Sequence, residues 1–391
     1  METRKLFYEN CLLKEFTATV LTCEQTEKGF QIVLDATAFY PEGGGQPCDF
    51  GTLEDSRVLD VREKGEVVVH LCDKPLTVGT QVTGKLDWER RLDLMQQHSG
   101  EHIVSGIIHK MYGCHNVGFH MGADVITIDF DYPIPADALP EIEKQANEAI
   151  YQNLPIGCSY PAEDVLPTIP YRTKKQLPWP VRIVEVPGYD ICACCGVHVA
   201  FTGQIGLIKL LSCVKFHDGV RMEMVCGSRA LSYLSRIYEQ NRLVSQAFSA
   251  KLLETGAAAQ RMNDALAAEK FRANNLERQV FDALAAEYKD KGNVLHFADG
   301  LTPVAVRELA DRMAKSCGGT AAVFSGTEQE GYSVCLVNHT DTVAALGKEM
   351  NAALNGRGGG KPGFFQGSVK AAKTQIAEFF GKLNQFYLVE K

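Results

Sequence analysis

Two short segments carry side chains suited to holding a metal. His98-Ser-Gly-Glu-His102 sets two imidazoles four residues apart. On a helix that spacing stacks them on one face, where both can reach a single ion. Zinc peptidases use the related pattern H-E-x-x-H, in which a glutamate directly after the first histidine serves as general base. Here Ser99 occupies that place and Glu101 is expected to face a different direction, so peptidase chemistry is excluded on geometry. Further on, Cys192-Ala-Cys194-Cys195-Gly196-Val197-His198 packs three thiols and an imidazole into seven residues. Cys194 and His198 can offer a thiolate and an imidazole to the same ion, completing the mixed nitrogen–sulfur coordination typical of zinc. Cys192 and Cys195 compete with Cys194 for that place, and spacing does not choose among them.

The elements that must position these groups are legible from pattern. Residues 1–86 read as β-rich runs, Phe16 to Leu21, Phe30 to Leu34 and Val67 to Leu71, around the glycine-rich loop Phe39-Tyr-Pro-Glu-Gly-Gly-Gly-Gln-Pro; a small β-barrel-like domain is the expectation. The metal helix starts at Asp87 as N-cap and ends at Gly113 in the C′ position, with apolar residues at Leu94, Met95, Ile103, Ile107, Ile108 and Met111. A strand over Val125 to Phe130, a helix from Ala138 to Gln152, and strands at Arg182, Ile205 and Val220 complete an α+β domain over 87–227. Residues 228–290 are rich in Ala, Leu, Glu and Arg without proline, read as two helices divided at Thr255-Gly256, with Ala273, Leu276, Val280 and Ala283 as a coiled-coil-like seam. Residues 291–391 alternate strand and helix around the loop Gly356-Arg-Gly-Gly-Gly-Lys-Pro-Gly, a separate small α/β domain. The fold class is therefore α+β with four parts.

The 391 residues carry 45% hydrophobic and 23% charged side chains, a globular composition, and no apolar run approaches a membrane span. Thirteen cysteines behind a start that is not a secretory signal point to reduced thiols and a cytoplasmic location. A net charge of −8 excludes coating of nucleic acid by bulk charge, but not contact through local basic patches.

HxxxH followed about ninety residues later by CxxxH, with the glycine-rich loop before it, resembles the editing domain of alanyl-tRNA synthetases and their free-standing AlaX relatives. Val117-Gly-Phe-His-Met-Gly, Thr202-Gly-Gln-Ile-Gly-Leu-Ile-Lys and Gly219-Val-Arg-Met-Glu-Met-Val-Cys-Gly match in order, and Gly356-Arg-Gly-Gly-Gly-Lys-Pro resembles the signature of the synthetase's C-terminal, DHH-associated domain. The class II aminoacylation core is expected to be absent, because residue 1 leads directly into the barrel. The resemblance thus implies a free-standing, long-form AlaX protein.

That resemblance implies a hydrolase that cleaves the ester joining serine, and sometimes glycine, to alanine tRNA, a task created because a pocket for a small side chain cannot reject near-isosteres by binding alone. It makes His98, His102, Cys194 and His198 the ligands of one zinc ion per chain. Four protein ligands describe a closed site whereas catalysis needs an open position, so either one ligand, His198 first, is loose, or zinc mainly positions the substrate. His120, within Gly118 to Gly122, is the candidate to order a water or bind the terminal ribose. Gln46 is the second catalytic candidate, and Gly44 and Gly45 are candidates to bring backbone amides to the acceptor end. The synthetase's Cys-Gly-Gly-Thr-His becomes Cys194-Cys195-Gly196-Val197-His198 here, which removes a hydroxyl beside the metal.

For the tRNA, Arg172, Lys174, Lys175 and Arg182 form one basic stretch around Trp179, Arg221 lies on a closing strand, and residues 351–391 carry a net +4. The glycine loop is not a P-loop, since Pro362 follows Lys361 where Ser or Thr is required. By resemblance Gly358, Gly359, Gly360 and Lys361 face the tRNA elbow. Two alternatives stand beside the editing hydrolase: a non-catalytic tRNA-binding module with a structural zinc, and a DHH-type phosphoesterase, although no Asp-His-His motif occurs. A homodimer through residues 228–290 or the C-terminal domain is the remaining partner expectation.

Overall fold

A computed structural model describes residues 2–173, 177–383 and 385–388. Lys174, Lys175 and Lys391, three of the candidate basic residues, lie outside the described residues. The fold is mixed α+β and divides into two compact units, Met1–Val244 and Ser245–Lys391. Among the described residues no helix is long and apolar enough to cross a membrane.

In the first unit β1 (Glu15–Thr26), β2 (Gly29–Leu34), β3 (Gly51–Leu53), β4 (Ser56–Lys64), β5 (Val67–Cys72) and β6 (Gln81–Leu86) close into a barrel in the order β1-β2-β5-β4-β3-β6. Alternation along β1 and β5 sends Phe16, Ala18, Val20, Val68 and Cys72 into a common apolar interior with Ile32, Leu34 and Leu53. Among the polar groups buried there is one imidazole, His70. The His70 ring donates from Nδ1 to the Ile32 carbonyl at 3.1 Å and accepts from Thr37 Oγ1 at 2.8 Å, so it is held neutral. Burial pushes its pKa down to about 4. Because the unfolded ring titrates near 6.5, stability is unaffected above that pH and falls as the pH drops from about 6.5 to about 4, by about 1.4 kcal/mol per unit. Thermal melts across this range should show a shallower slope for His70→Gln than for the parent chain.

Helix α1 (Trp88–Tyr112) follows, capped by the Asp87 side chain, which accepts from the Arg90 N–H at 3.2 Å, and ended by Gly113 at φ 69°. From Gln97 to Ile108 every residue is buried, so α1 runs through the middle of its domain instead of along a surface. On one side lies an antiparallel sheet of β12 (Ile208–Phe216), β13 (Gly219–Cys226), β8 (Ile126–Phe130) and β7 (Asn116–Met121), in that order; α2 (Leu139–Gln152) packs against α1 and β12. Gln97 pins α1 to the end of β13 by bonding both the N–H and the carbonyl of Cys226, at 2.8 and 2.9 Å. A small sheet of β9 (Gly157–Ser159), β10 (Ile183–Val186) and β11 (Asp190–Ala193) leads into the second candidate ligand segment. The barrel is tied to α1 by Arg91, fully buried, which forks onto Asp49 at 2.9 Å from Nε and donates to the Ala38 carbonyl; Asp49 also accepts from the Tyr40 N–H at 2.6 Å.

One local expectation changes. The strand read from Ile205 begins only at Ile208, because Thr202–Ile205 is a 3₁₀ turn in which the Gln204 side chain accepts from the N–H groups of Ala200 and Phe201 and tightens the chain. Asn116–Met121 is a strand paired to β8.

In the second unit a six-stranded sheet orders β17 (Gly356–Lys361), β18 (Phe364–Val369), β16 (Gly331–Val337), β15 (Gly318–Thr327), β14 (Gly292–Ala298) and β19 (Phe386–Leu388). The expected glycine loop is thus an edge strand: its backbone ladders from Gly356 opposite Val369 to Lys361 opposite Phe364, satisfying groups that a loop would leave to solvent. Helix α3 (Gly227–Ala247) ends before α4 (Thr255–Glu287); the break lies at 248–254, and Thr255-Gly256, expected to divide the helices, instead open the second. Along α4 the buried positions are Ala258, Phe281 and Ala285, the last two packed with α5 (Pro303–Cys317), whereas Leu276 and Val280 of the supposed seam are 51% and 55% exposed. The seam therefore forms no part of this unit's core.

Candidate metal centre and its cavity

His98 and His102 on α1 meet Cys194 and His198, which follow β11, with one ligand atom from each within 4.8 Å of the others. Each imidazole is fixed through Nδ1. His98 donates to Gln46 Oε1 at 2.8 Å, His102 to Asp190 Oδ2 at 2.9 Å, and His198 lies 3.4 Å from Ser99 Oγ. Since Nδ1 is engaged on all three rings, the Nε2 atoms are left to converge, and Cys194 Sγ sits 3.4 Å from His98 Nε2. His198 Nε2 is buried with no hydrogen-bond partner, an orphan that a cation would satisfy.

The protonation of Cys194 and of His198 agrees with a ligand set. Burial pushes the Cys194 thiol up, but His98 and His102 override it and hold the group well below the usual range, as thiolate. Burial, then His98, brings His198 down to about 3, so its ring is neutral. Burial opposes charge on His102, yet Cys194 and Asp190 hold it well above the ordinary imidazole range, so this ring carries a proton that a bound ion must displace. Thiolate and neutral imidazole are the forms that bind zinc, and the donors are the nitrogen–sulfur mixture it favours, so these residues fit the ion.

The cluster opens on a cavity of about 490 Å³, within the range of sites for small ligands. His98, His102 and Cys194 line it, and His198 does not. The Phe119 ring stands 5.3 Å from that of His98. Arg172 forks onto Asp190 at 2.7 and 2.9 Å, and Arg182 donates to the carbonyls of Cys194 and Gly196, holding the metal loop in shape. Gly196 passes so close to the cluster that a Cβ there would lie 2.1 Å from His98 Cε1.

Several candidates fall where the sequence placed them, others do not. Gly44 and Gly45 line the cavity in left-handed conformation, closed by paired backbone bonds between Gly43 and Gln46. Gln46 is fully buried beneath His98 and is not a lining residue; its Oε1 also accepts from the Val197 N–H at 3.3 Å. It is placed to orient a ligand instead of touching substrate. His120 is exposed on β7 and points away from the cavity that its neighbour Phe119 lines, because successive strand residues face opposite sides. Arg221 on β13 is bound to Asp129 at 2.7 and 2.8 Å and stacks on Phe216, also outside the cavity. Gly358, Gly359, Gly360 and Lys361 belong to the second unit, on its edge strand. Sequence reasoning missed Asp190, Asn116 and Phe119, and it misplaced Glu101, which lines the cavity with both helix histidines. Its position three residues after His98 was the available signal.

Residues 4–90, the barrel segment, match a family model described as class II (A) tRNA synthetases; 181–238 match the threonyl and alanyl tRNA synthetase second additional domain; and 290–388 match the DHHA1 domain. The chain is 30% identical to the alanyl-tRNA editing protein Aarsd1 of Rattus norvegicus and 29% to that of Mus musculus, each over 92% of both chains. It is 33% identical to an alanine–tRNA ligase of Thermofilum pendens, over 95% of this chain but 43% of the ligase. With a relative of that identity matched over nearly its whole length, the chain belongs to the AlaX-type family of alanyl-tRNA editing proteins.

Proposed function

We propose that the chain is a zinc-dependent deacylase that hydrolyses the ester of mischarged alanine tRNA, Ser-tRNA(Ala) foremost and Gly-tRNA(Ala) second. The observation that carries this reading is the convergence of His98, His102, Cys194 and His198 beside an open cavity, with every imidazole Nδ1 anchored. When bound, zinc supplies Lewis-acid polarisation of the ester. The chain's own residues do the rest. Gln46 and Asp190 accept from Nδ1 of His98 and His102 and so direct the Nε2 atoms of those rings to the ion, Ser99 stands beside Nδ1 of His198, and Gly44 and Gly45 let the terminal nucleoside approach the backbone. Phe119 covers the His98 ring and narrows the space for the amino-acid side chain. Since His198 is buried behind the cavity and the other three ligands face it, substrate approaches from the side of His98, His102 and Cys194.

The remaining expectations fit this reading. Residues 1–86, 87–227, 228–290 and 291–391 act as barrel, editing core, helical spacer and tRNA-facing domain. The exposed edge strand bearing Arg357 and Lys361 meets tRNA phosphates, Arg221 contributes a peripheral contact, and the exposed Leu276 and Val280 face supports a homodimer. The test is a deacylation time course with alanine tRNA charged separately with serine, glycine and alanine. The seryl ester is expected to be cleaved fastest and the alanyl ester spared. Failure to hydrolyse any of the three would favour a binding module with a structural metal.

A further inference from the structure

Glu101 is an acidic group that neither the metal cluster nor its supporting shell uses. It is 4% exposed, on the same stretch of α1 as His98 and His102, and among the described residues lining the cavity it is the sole carboxylate. One of its oxygens is fixed: Oε1 accepts from Ser105 Oγ and from Asn116 Nδ2, both at 2.5 Å. Asn116 Nδ2 can only donate, so Oε1 is committed as an acceptor. No described residue hydrogen-bonds Oε2. The two arginines of the cavity wall do not hydrogen-bond it: Arg172 attracts it through space but places its donors on Asp190, and Arg182 places its own on the carbonyls of Cys194 and Gly196. A buried carboxylate with one oxygen clamped and the other left at a cavity wall lacks a hydrogen-bonded cation.

We propose that Glu101 binds the α-ammonium group of the aminoacyl ester, an inference that rests on the editing function above. Every aminoacyl ester brings one such cation regardless of side chain: the α-amino group titrates near 7.7–8.0 and is mostly charged at pH 7. Ser105 and Asn116 act as positioning residues that hold the carboxylate toward the cavity. The consequence is selection for esters with a free amino group and against N-blocked ones, separate from serine-versus-alanine discrimination.

Glu101→Gln keeps an Oε1 for Ser105 and Asn116 and removes only the charge. The probes are 3′-deoxy-3′-(L-serylamino)adenosine, an amide that resists hydrolysis, and its N-acetyl derivative, each titrated calorimetrically into the full, zinc-loaded chain. The parent chain is expected to bind the free-amine probe roughly 10- to 100-fold tighter than the N-acetyl probe, the worth of one hydrogen-bonded charge. Glu101→Gln should abolish that difference, leaving the N-acetyl affinity and the zinc content unchanged. Equal binding of the two probes by the parent chain overturns the proposal, as does a Gln variant that weakens both alike or loses zinc. Because the titration reads binding without hydrolysis, a parent chain that binds selectively but leaves seryl esters intact would contradict the deacylase function and not the role of Glu101.

Discussion

His98→Ala is expected to release the metal and to cut hydrolysis of Ser-tRNA(Ala) by more than about 100-fold, because loss of a ligand must exceed loss of an outer-shell partner, which alone costs about 10- to 100-fold. The structure separates the two cases at one ring. His98 offers Nε2 to the cluster while Gln46 holds its Nδ1 at 2.8 Å. Gln46→Ala should therefore weaken zinc binding roughly 10- to 100-fold and leave activity recoverable in excess zinc, whereas His98→Ala should not recover. Metal content after dialysis against a chelator, measured alongside deacylation with and without added zinc, checks both. A His98→Ala chain that keeps one zinc and its activity would remove His98 from the ligand set.

Asp49→Ala carries the largest expected loss of stability, about 3–5 kcal/mol, since it strands a buried guanidinium without its partner. Arg91 and Asp49 are both fully inaccessible, and the pair joins the barrel to the metal helix while Asp49 also fixes the Tyr40 N–H. The double variant Asp49→Ala, Arg91→Met should recover much of the loss, as the remaining side chain then requires no ion partner. Urea unfolding followed by circular dichroism measures all three chains. A single-variant shift below about 1 kcal/mol, the worth of an exposed pair, would show that the pair does not lock the two elements together.

Much of this arrangement was legible because its signals are local. The α1 caps, Asp87 and Gly113, are single residues with distinct chemistry, and both caps form as read. The histidines at 98 and 102 share a face because helical periodicity demands it, and the CxxxH segment is short enough to be read whole. What escaped depends on long-range register. Asp190 reaches His102 across 88 positions, and Asn116 reaches Glu101 only because β7 returns beside α1. His120 looked apt by residue type, yet strand alternation turns it outward in favour of Phe119. The glycine run near the C-terminus had the composition of a loop; its pairing with Phe364–Val369 makes it a strand, and no local pattern announces that partner. Glu101 was a misjudgement of a signal that was present, since residues three and four apart lie on adjoining parts of one helix face.

The most direct measurement of the account is metal reconstitution of the purified chain. Protein stripped with a chelator should cease to hydrolyse Ser-tRNA(Ala), and stepwise return of zinc should restore the rate linearly to a plateau at one equivalent per chain. A metal-free chain that deacylates at the full rate would contradict the account.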